Sequence, residues 1–171
     1  MNGETRRNCI LKKLFHTTQP ISASKSAKEM GVSRQIIVGD IALLRAQGHE
    51  INATPLGYIM YDDTERFVAK VVVNHTYNQT DKELKGLIEM GIYVLDISIE
   101  HPVYGDITKQ LNLRSEHDVQ QFVKEISQGD ALLLSSLTQG IHIHTLSCEN
   151  KQHYLDALDF LRNHQLLVEN L

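Results

Sequence analysis

The sequence predicts an α+β protein in two parts, an N-terminal winged helix-turn-helix followed by an α/β sandwich. Three observations carry this prediction. The charge balance changes sign about a third of the way along the chain, the spacing of apolar residues before that point is helical and ends in a short paired-strand pattern, and beyond it strand-like and helix-like segments interleave.

The charge split excludes more than the total does. Over 171 residues the net charge is only -4, but residues 1 to 61 hold eight Lys or Arg against four acids. From residue 62 onward nine basic residues face seventeen acidic ones, and seven of the nine histidines lie there. Only the first third suits a polyanionic partner such as DNA. The apolar runs Val71 to Val73 and Ala131 to Leu134 are too short to span a bilayer. The N-terminal Met1 to Arg7 lacks the apolar stretch of a secretory signal, so a cytoplasmic protein with no membrane partner is expected. Cys9 and Cys148 form no CxxC pair and read as isolated reduced thiols.

Each N-terminal element follows from local chemistry. Ile10, Leu11, Leu14 and Phe15 recur at helical spacing from Arg6 to Phe15, and Pro20 disfavours continuation. Ser22 is placed to cap a short second helix carrying Ala23, Ala27 and Met30, which Gly31 ends. After the turn Gly31-Val32-Ser33, Ser33 caps a third helix to about Gln47, with Ile37, Ile41 and Leu44 as its buried stripe. Two β-prone pieces follow, Glu50 to Ala53 and Tyr58 to Tyr61, joined by Thr54-Pro55-Leu56-Gly57, and they read as a wing.

This order matches a DNA-binding motif whose second helix enters the major groove by its N-terminal end. Ser33, Arg34 and Gln35 open that helix; arginine suits guanine, glutamine suits adenine, and Val38 one turn on is placed to meet a thymine methyl. Lys12, Lys13, Lys25 and Lys28 are then expected phosphate contacts. Asp62 to Arg66 reads as a linker, dividing a DNA-binding domain of residues 1–61 from a second domain of residues 67–171.

Beyond the linker, Phe67 to Val73 is a β-branched run, Thr80 or Asp81 begins a helix through Met90, and Tyr93 to Ile99 alternates like a strand. A short helical piece is expected around Gly105 to Leu111. A helix from Ser115 to about Ser127 buries Val119, Phe122, Val123 and Ile126. A weaker segment from Ala131 to Leu137 precedes a strand from Gly140 to Ser147, and Lys151 to Leu166 reads as an amphipathic helix.

The chemistry is concentrated in Ile141-His142-Ile143-His144. On a strand, residues two apart project from one face, so both imidazoles point the same way. His75, just after a strand, and Glu83, early in the next helix, are candidate partners, and such a His3Glu set suits a divalent metal such as zinc, nickel or iron. The same residues also fit a loop histidine, a solvated glutamate and an exposed strand face, and spacing alone leaves both readings open. No phosphate-cradling glycine loop, GxSxG or HExxH is present.

Val32-Ser33-Arg34-Gln35-Ile36-Ile37, Asp40 to Gly48 and Ala53 to Tyr58 resemble the helix-turn-helix and wing of the niacin-responsive repressors of NAD metabolism, the NiaR (YrxA) family. His75 with Glu83, His101-Pro102-Val103-Tyr104-Gly105 and Leu137 to Thr145 resemble that family's 3H domain. The resemblance implies a non-enzymatic repressor of NAD biosynthesis or niacin uptake genes, usually dimeric, that binds operator DNA with nicotinic acid as co-repressor. It also implies a metal held by His75, Glu83, His142 and His144. His101 and Tyr104 are expected either in an effector pocket near that metal or in a structural turn. Gly39 departs from the family pattern of a larger polar residue, and costs the helix ~1 kcal/mol relative to alanine. Two alternatives belong to other classes: a metal-responsive regulator, and a metal-dependent hydrolase or lyase fused to a DNA-binding domain.

Overall fold

The computed structural model describes residues 1–61, 65–128 and 134–170 and divides the chain into two compact units, Met1–Asp62 and Asp63–Leu171.

In the first unit, α1 (Gly3–Phe15), α2 (Ala23–Met30) and α3 (Arg34–Ala46) enclose a core of Ile10, Leu14, Ala23, Ala27, Ile37, Ile41, Leu44 and Ile51. Asn2, Ser22 and Ser33 cap the helices by accepting from the backbone N–H three residues on. Gly31 ends α2 in the left-handed conformation that glycine adopts freely. Strands β1 (Asn52–Thr54) and β2 (Gly57–Ile59) pair antiparallel as the wing. Tyr58 also exchanges backbone hydrogen bonds of 2.7 and 2.9 Å with Ile21, tying the wing to the entry of α2. A Cβ at Gly57 would lie 2.3 Å from the Ile21 carbonyl oxygen, so the chains can approach this closely only at glycine.

Asp40, on α3 and 3% exposed, accepts hydrogen bonds from Arg6 Nε at 2.5 Å and Arg7 Nη1 at 3.4 Å. Lys13 is ion-paired with Glu29. Three of the basic residues in the favourable charge balance are therefore engaged within the unit. Nothing local in the sequence announces a pair 34 residues apart.

The second unit is a four-stranded antiparallel sheet in the order β3-β6-β4-β5, made of β3 (Phe67–Asn74), β4 (Tyr93–His101), β5 (Gly105–Leu113) and β6 (Ile141–Cys148). Helices α4 (Thr80–Glu89), α5 (Glu116–Gln128) and α6 (Lys151–Asn163) contribute Leu84, Leu87, Val119, Ala157 and Leu161 to its core. The strands contribute Val71, Val73, Val94, Ile97, Leu111, Leu113, Leu146 and Cys148. Ser115 Oγ accepts from Asp118 N while Asp118 Oδ2 accepts from Ser115 N, a reciprocal cap that starts α5.

Several expectations are corrected. The segment from Gly105 to Leu111 is not helical but part of β5, paired with β4 from His101↔Gly105 to Val94↔Leu113. Ile107, Leu111 and Leu113 fall on alternate positions, exposed Lys109 interrupts that pattern, and pairing with β4 decides the strand. The last helix stops at Asn163; Gln165 adopts a positive φ of 59°, and the tail turns back to pair Leu167 with Val73. Residues 131–133 of the weaker segment lie outside the described residues, and Leu134–Thr138 is a 3-10 turn. Of the expected linker, residues 62–64 also lie outside them. Arg66 is not linker: its guanidinium donates to the Ser147 hydroxyl and carbonyl at 2.8 Å each and lies 4.1 Å from the Tyr93 ring centroid. Among the described residues, no helix is long and apolar enough to cross a membrane.

Candidate metal centre and nucleic-acid interface

The fold converts the HxH spacing into a convergent site. On β6, His142 and His144 both point into the helix-covered face and are 3% and 2% exposed. His75 follows β3, the strand paired with β6, and Glu83 stands on α4 directly over the sheet, fully buried. The His75–His142 and His142–His144 rings meet edge to face, with centroids 4.8 and 4.7 Å apart.

Hydrogen bonds on the far side of each ring fix which nitrogen faces the glutamate. His75 Nδ1 lies 2.9 Å from the Thr76 carbonyl, His142 Nδ1 2.8 Å from that of Gly140, and His144 Nδ1 2.8 Å from that of Asp96. A carbonyl only accepts, so each Nδ1 carries a proton and each neutral ring turns its Nε2 lone pair inward. His75 Nε2 contacts Glu83 Oε2, His142 Nε2 lies 3.9 Å from that oxygen, and His144 Nε2 lies 3.5 Å from Oε1. The donor atoms of His75, Glu83 and His142 all lie within 4.8 Å of one another. Ligand atoms about 2.1 Å from a tetrahedral zinc stand about 3.4 Å apart.

Two pieces of backbone make this possible. Gly140, with φ 97°, accepts from His142 Nδ1 and from His75 N; a Cβ there would lie 2.6 Å from the His75 carbonyl oxygen. A register shift in β4 between Val94 and Asp96 brings the Asp96 carbonyl to His144.

Three inward lone pairs and a carboxylate form a set of acceptors that needs a cation. Among the described residues, Glu83 Oε1 is buried without a hydrogen-bond partner. A divalent metal fits this donor set, which has no thiolate and is built of imidazole and carboxylate. Protons are the alternative cation. Burial opposes the charged forms of His75 and His144, but the Glu83 carboxylate outweighs it and raises both pKa values. Burial dominates at His142 and lowers its pKa. Burial would raise Glu83, but the three histidines hold it well below the usual carboxylate range.

The pH dependence follows. The contribution of His75 and His144 to stability is fully present below the unfolded imidazole value of about 6.5 and is lost as pH rises through their higher folded values. His142 works in the opposite sense below about 6.5. Chelator-treated protein is therefore expected to lose melting temperature as pH rises above about 6.5, while zinc-loaded protein does not. Calorimetry of the two forms checks this, and parallel profiles would count against the cluster as a cation site.

A small cavity of about 20 Å³ adjoins the cluster; besides the four residues above it is lined by Thr80, Leu84, Ile97, Leu111, Phe122 and Ser135. This suffices for one water-sized group. His101 and Tyr104 do not line it. They sit at the β4–β5 hairpin, where His101 Nδ1 accepts from Val103 N at 3.1 Å and Tyr104 N at 3.2 Å, and Tyr104 is 78% exposed. Along an extended strand, four residues beyond Ile97 put His101 about 13 Å further on. The structure shows the hydrogen bonds of a turn at these residues. Thr80, expected only as a helix start, and Ser135 are site residues that the sequence does not mark, although Thr80 lies three residues before Glu83 and so on the same helical face.

In the first unit Ser33, Arg34 and Gln35 are exposed at the start of α3, with Val38 half-buried one turn on and Lys25 and Lys28 exposed on α2. A groove of about 380 Å³ runs between Arg34, Ser22 at the start of α2, and the wing residues Thr54 to Tyr58. Gly39 is exposed, with nothing within 4 Å of where a Cβ would stand.

Residues 6–59 match the HTH domain family and residues 68–170 the 3H domain family. The transcription repressor NadR of Bacillus subtilis is 35% identical over 175 residues, covering 98% of this chain and 96% of the relative. The chain belongs to the NiaR/NadR family of transcription repressors. A second relative, the probable transcription repressor NiaR of Thermotoga maritima, is 32% identical over 166 residues, 97% of this chain and 95% of its own length. Membership makes the chain a transcriptional repressor with a helix-turn-helix DNA-binding domain, not an enzyme. The hydrolase or lyase alternative is thereby set aside.

Proposed function

We propose that this chain is a cytoplasmic, homodimeric repressor of NAD biosynthesis or niacin uptake genes, holding a divalent metal and binding its operator more tightly with nicotinic acid. The observation that carries the sensor half is the convergence of three imidazoles, each pinned through Nδ1, on a buried glutamate beside a cavity. His75, Glu83, His142 and His144 would hold the metal. When bound, a metal of coordination number five or six would keep, beyond these four ligands, a position for the carboxylate or ring nitrogen of nicotinate. The identity of the signal rests on resemblance to the niacin-responsive repressors.

The protein's own residues set the conditions for that ligand. Burial excludes bulk water, and the carbonyls of Thr76, Gly140 and Asp96 orient the rings. A cavity that takes up a benzene ring measures about 150 Å³, well above the size found here. Nicotinate is therefore expected to displace part of the apolar wall, formed by Ile97 and Leu111 of the sheet and Phe122 of α5.

The same smallness favours one second reading, in which the metal ion itself is the signal. One titration separates the two. Operator DNA from upstream of nicotinate transport genes is bound by chelated protein, by zinc-loaded protein, and by zinc-loaded protein with nicotinic acid. The niacin reading expects the gain in affinity in the third arm and fails if nicotinic acid adds nothing. A full gain in the second arm favours the metal as signal. Sedimentation of the free and DNA-bound protein tests the dimer, whose two reading helices must span half-sites about 34 Å apart or a multiple of that spacing.

A further inference from the structure

One buried hydroxyl beside the metal centre has no partner. Thr80, the first residue of α4, is 7% exposed and lines the same cavity as His75, Glu83, His142 and His144, and its Oγ1 is buried without a hydrogen bond among the described residues. A helical threonine ordinarily donates to the carbonyl one turn back. Here the Thr76 carbonyl already accepts from His75 Nδ1 at 2.9 Å and from Gln79 N at 3.0 Å. With two lone pairs to a carbonyl, that outlet is filled. The other carbonyl within a helical threonine's reach, that of Tyr77, takes the Thr80 backbone N–H, so the Thr80 hydroxyl stands without an acceptor beside the bond that orients His75.

An unpaired buried hydroxyl is costly unless something in its cavity accepts from it. The cavity holds one water-sized group, and its other walls are largely apolar: Leu84, Ile97, Leu111 and Phe122. We propose that Thr80 is a specificity-determining residue of the sensor, donating a hydrogen bond to an oxygen of the group bound at the metal's open position. The favoured ligand class is a small carboxylate, with water in its absence. A nitrogen heterocycle without an oxygen gains nothing from this hydroxyl. The inference rests on the metal reading above.

Cobalt(II) substitution tests it, because the visible absorption of bound cobalt reports both loading and exchange at the open position. Wild type, Thr80→Val and Thr80→Ser are loaded with cobalt and titrated with acetate and, separately, with imidazole. All three variants are expected to take up cobalt with affinities within about threefold, as Thr80 is not a ligand. Acetate should bind about tenfold or more weakly to Thr80→Val, the loss of one hydrogen bond to a charged group, and near wild type to Thr80→Ser, while imidazole should not discriminate. Equal acetate affinity in wild type and Thr80→Val overturns the role of Thr80 and leaves the metal centre standing. Absence of cobalt bands in wild type overturns both. Should Thr80→Val fail to fold by circular dichroism, Thr80→Ala beside Thr80→Ser makes the same comparison.

Discussion

Glu83→Gln is expected to lower zinc affinity by at least about 100-fold, since even residues that only orient metal ligands cost 10- to 100-fold when lost. Two effects combine. The amide removes the negative charge of Glu83 that faces three imidazoles, and its NH2 presents donors at full burial where a cation would stand. The double variant His142→Ala, His144→Ala should lose metal to a similar degree, and with it the response to nicotinic acid in the operator titration. Its DNA-binding unit should stay folded, because that unit has a core of its own. Calorimetric zinc titration measures the first effect, and retention of wild-type affinity in either variant would remove these residues from the metal centre. An intact effector response in a variant that has lost its metal would detach the metal from sensing.

Arg34→Ala should cost ~1 to 3 kcal/mol in specific operator binding, roughly 5- to 150-fold, and relax the preference at one base pair. Its position supports this size of effect: it is exposed at the N-terminal end of α3 and borders the groove between α2 and the wing. Lys25→Ala and Lys28→Ala should instead weaken binding to all sequences alike and flatten its salt dependence, as phosphate contacts do. Fluorescence anisotropy against operator and scrambled duplexes separates the two behaviours. Equal losses on both duplexes for Arg34→Ala would move base reading elsewhere on the helix. Lys13 is expected to contribute less than Lys25 or Lys28, because Glu29 already engages it.

Much of the fold was legible because its signals are local. Ser22, Ser33 and Ser115 are hydroxyl caps within a turn of the amides they serve, and Gly31 stops a helix by its own backbone freedom. The stripe Ile37, Ile41 and Leu44 names its buried face without reference to any partner. The pairing of His142 with His144 is equally local, since the strand period alone puts them on one face. The helical expectation for β5 fails because its first half is an exposed edge with charged and polar residues, and its alternation becomes decisive only against β4.

What the sequence determined by itself was the two-part organisation, the elements of the reading head, and two of the four residues of the candidate metal centre as a unit. Tertiary structure decided the rest, for one physical reason: the deciding contacts join residues far apart in the chain. Asp96 meets His144 across 48 positions through a bulge, and Asp40 meets Arg6 across 34. His75 and Glu83 became partners of the HxH pair only when β3 paired with β6 and α4 crossed above them. Thr80 joined them by lining the same cavity with a hydroxyl unpartnered among the described residues, which no periodicity records.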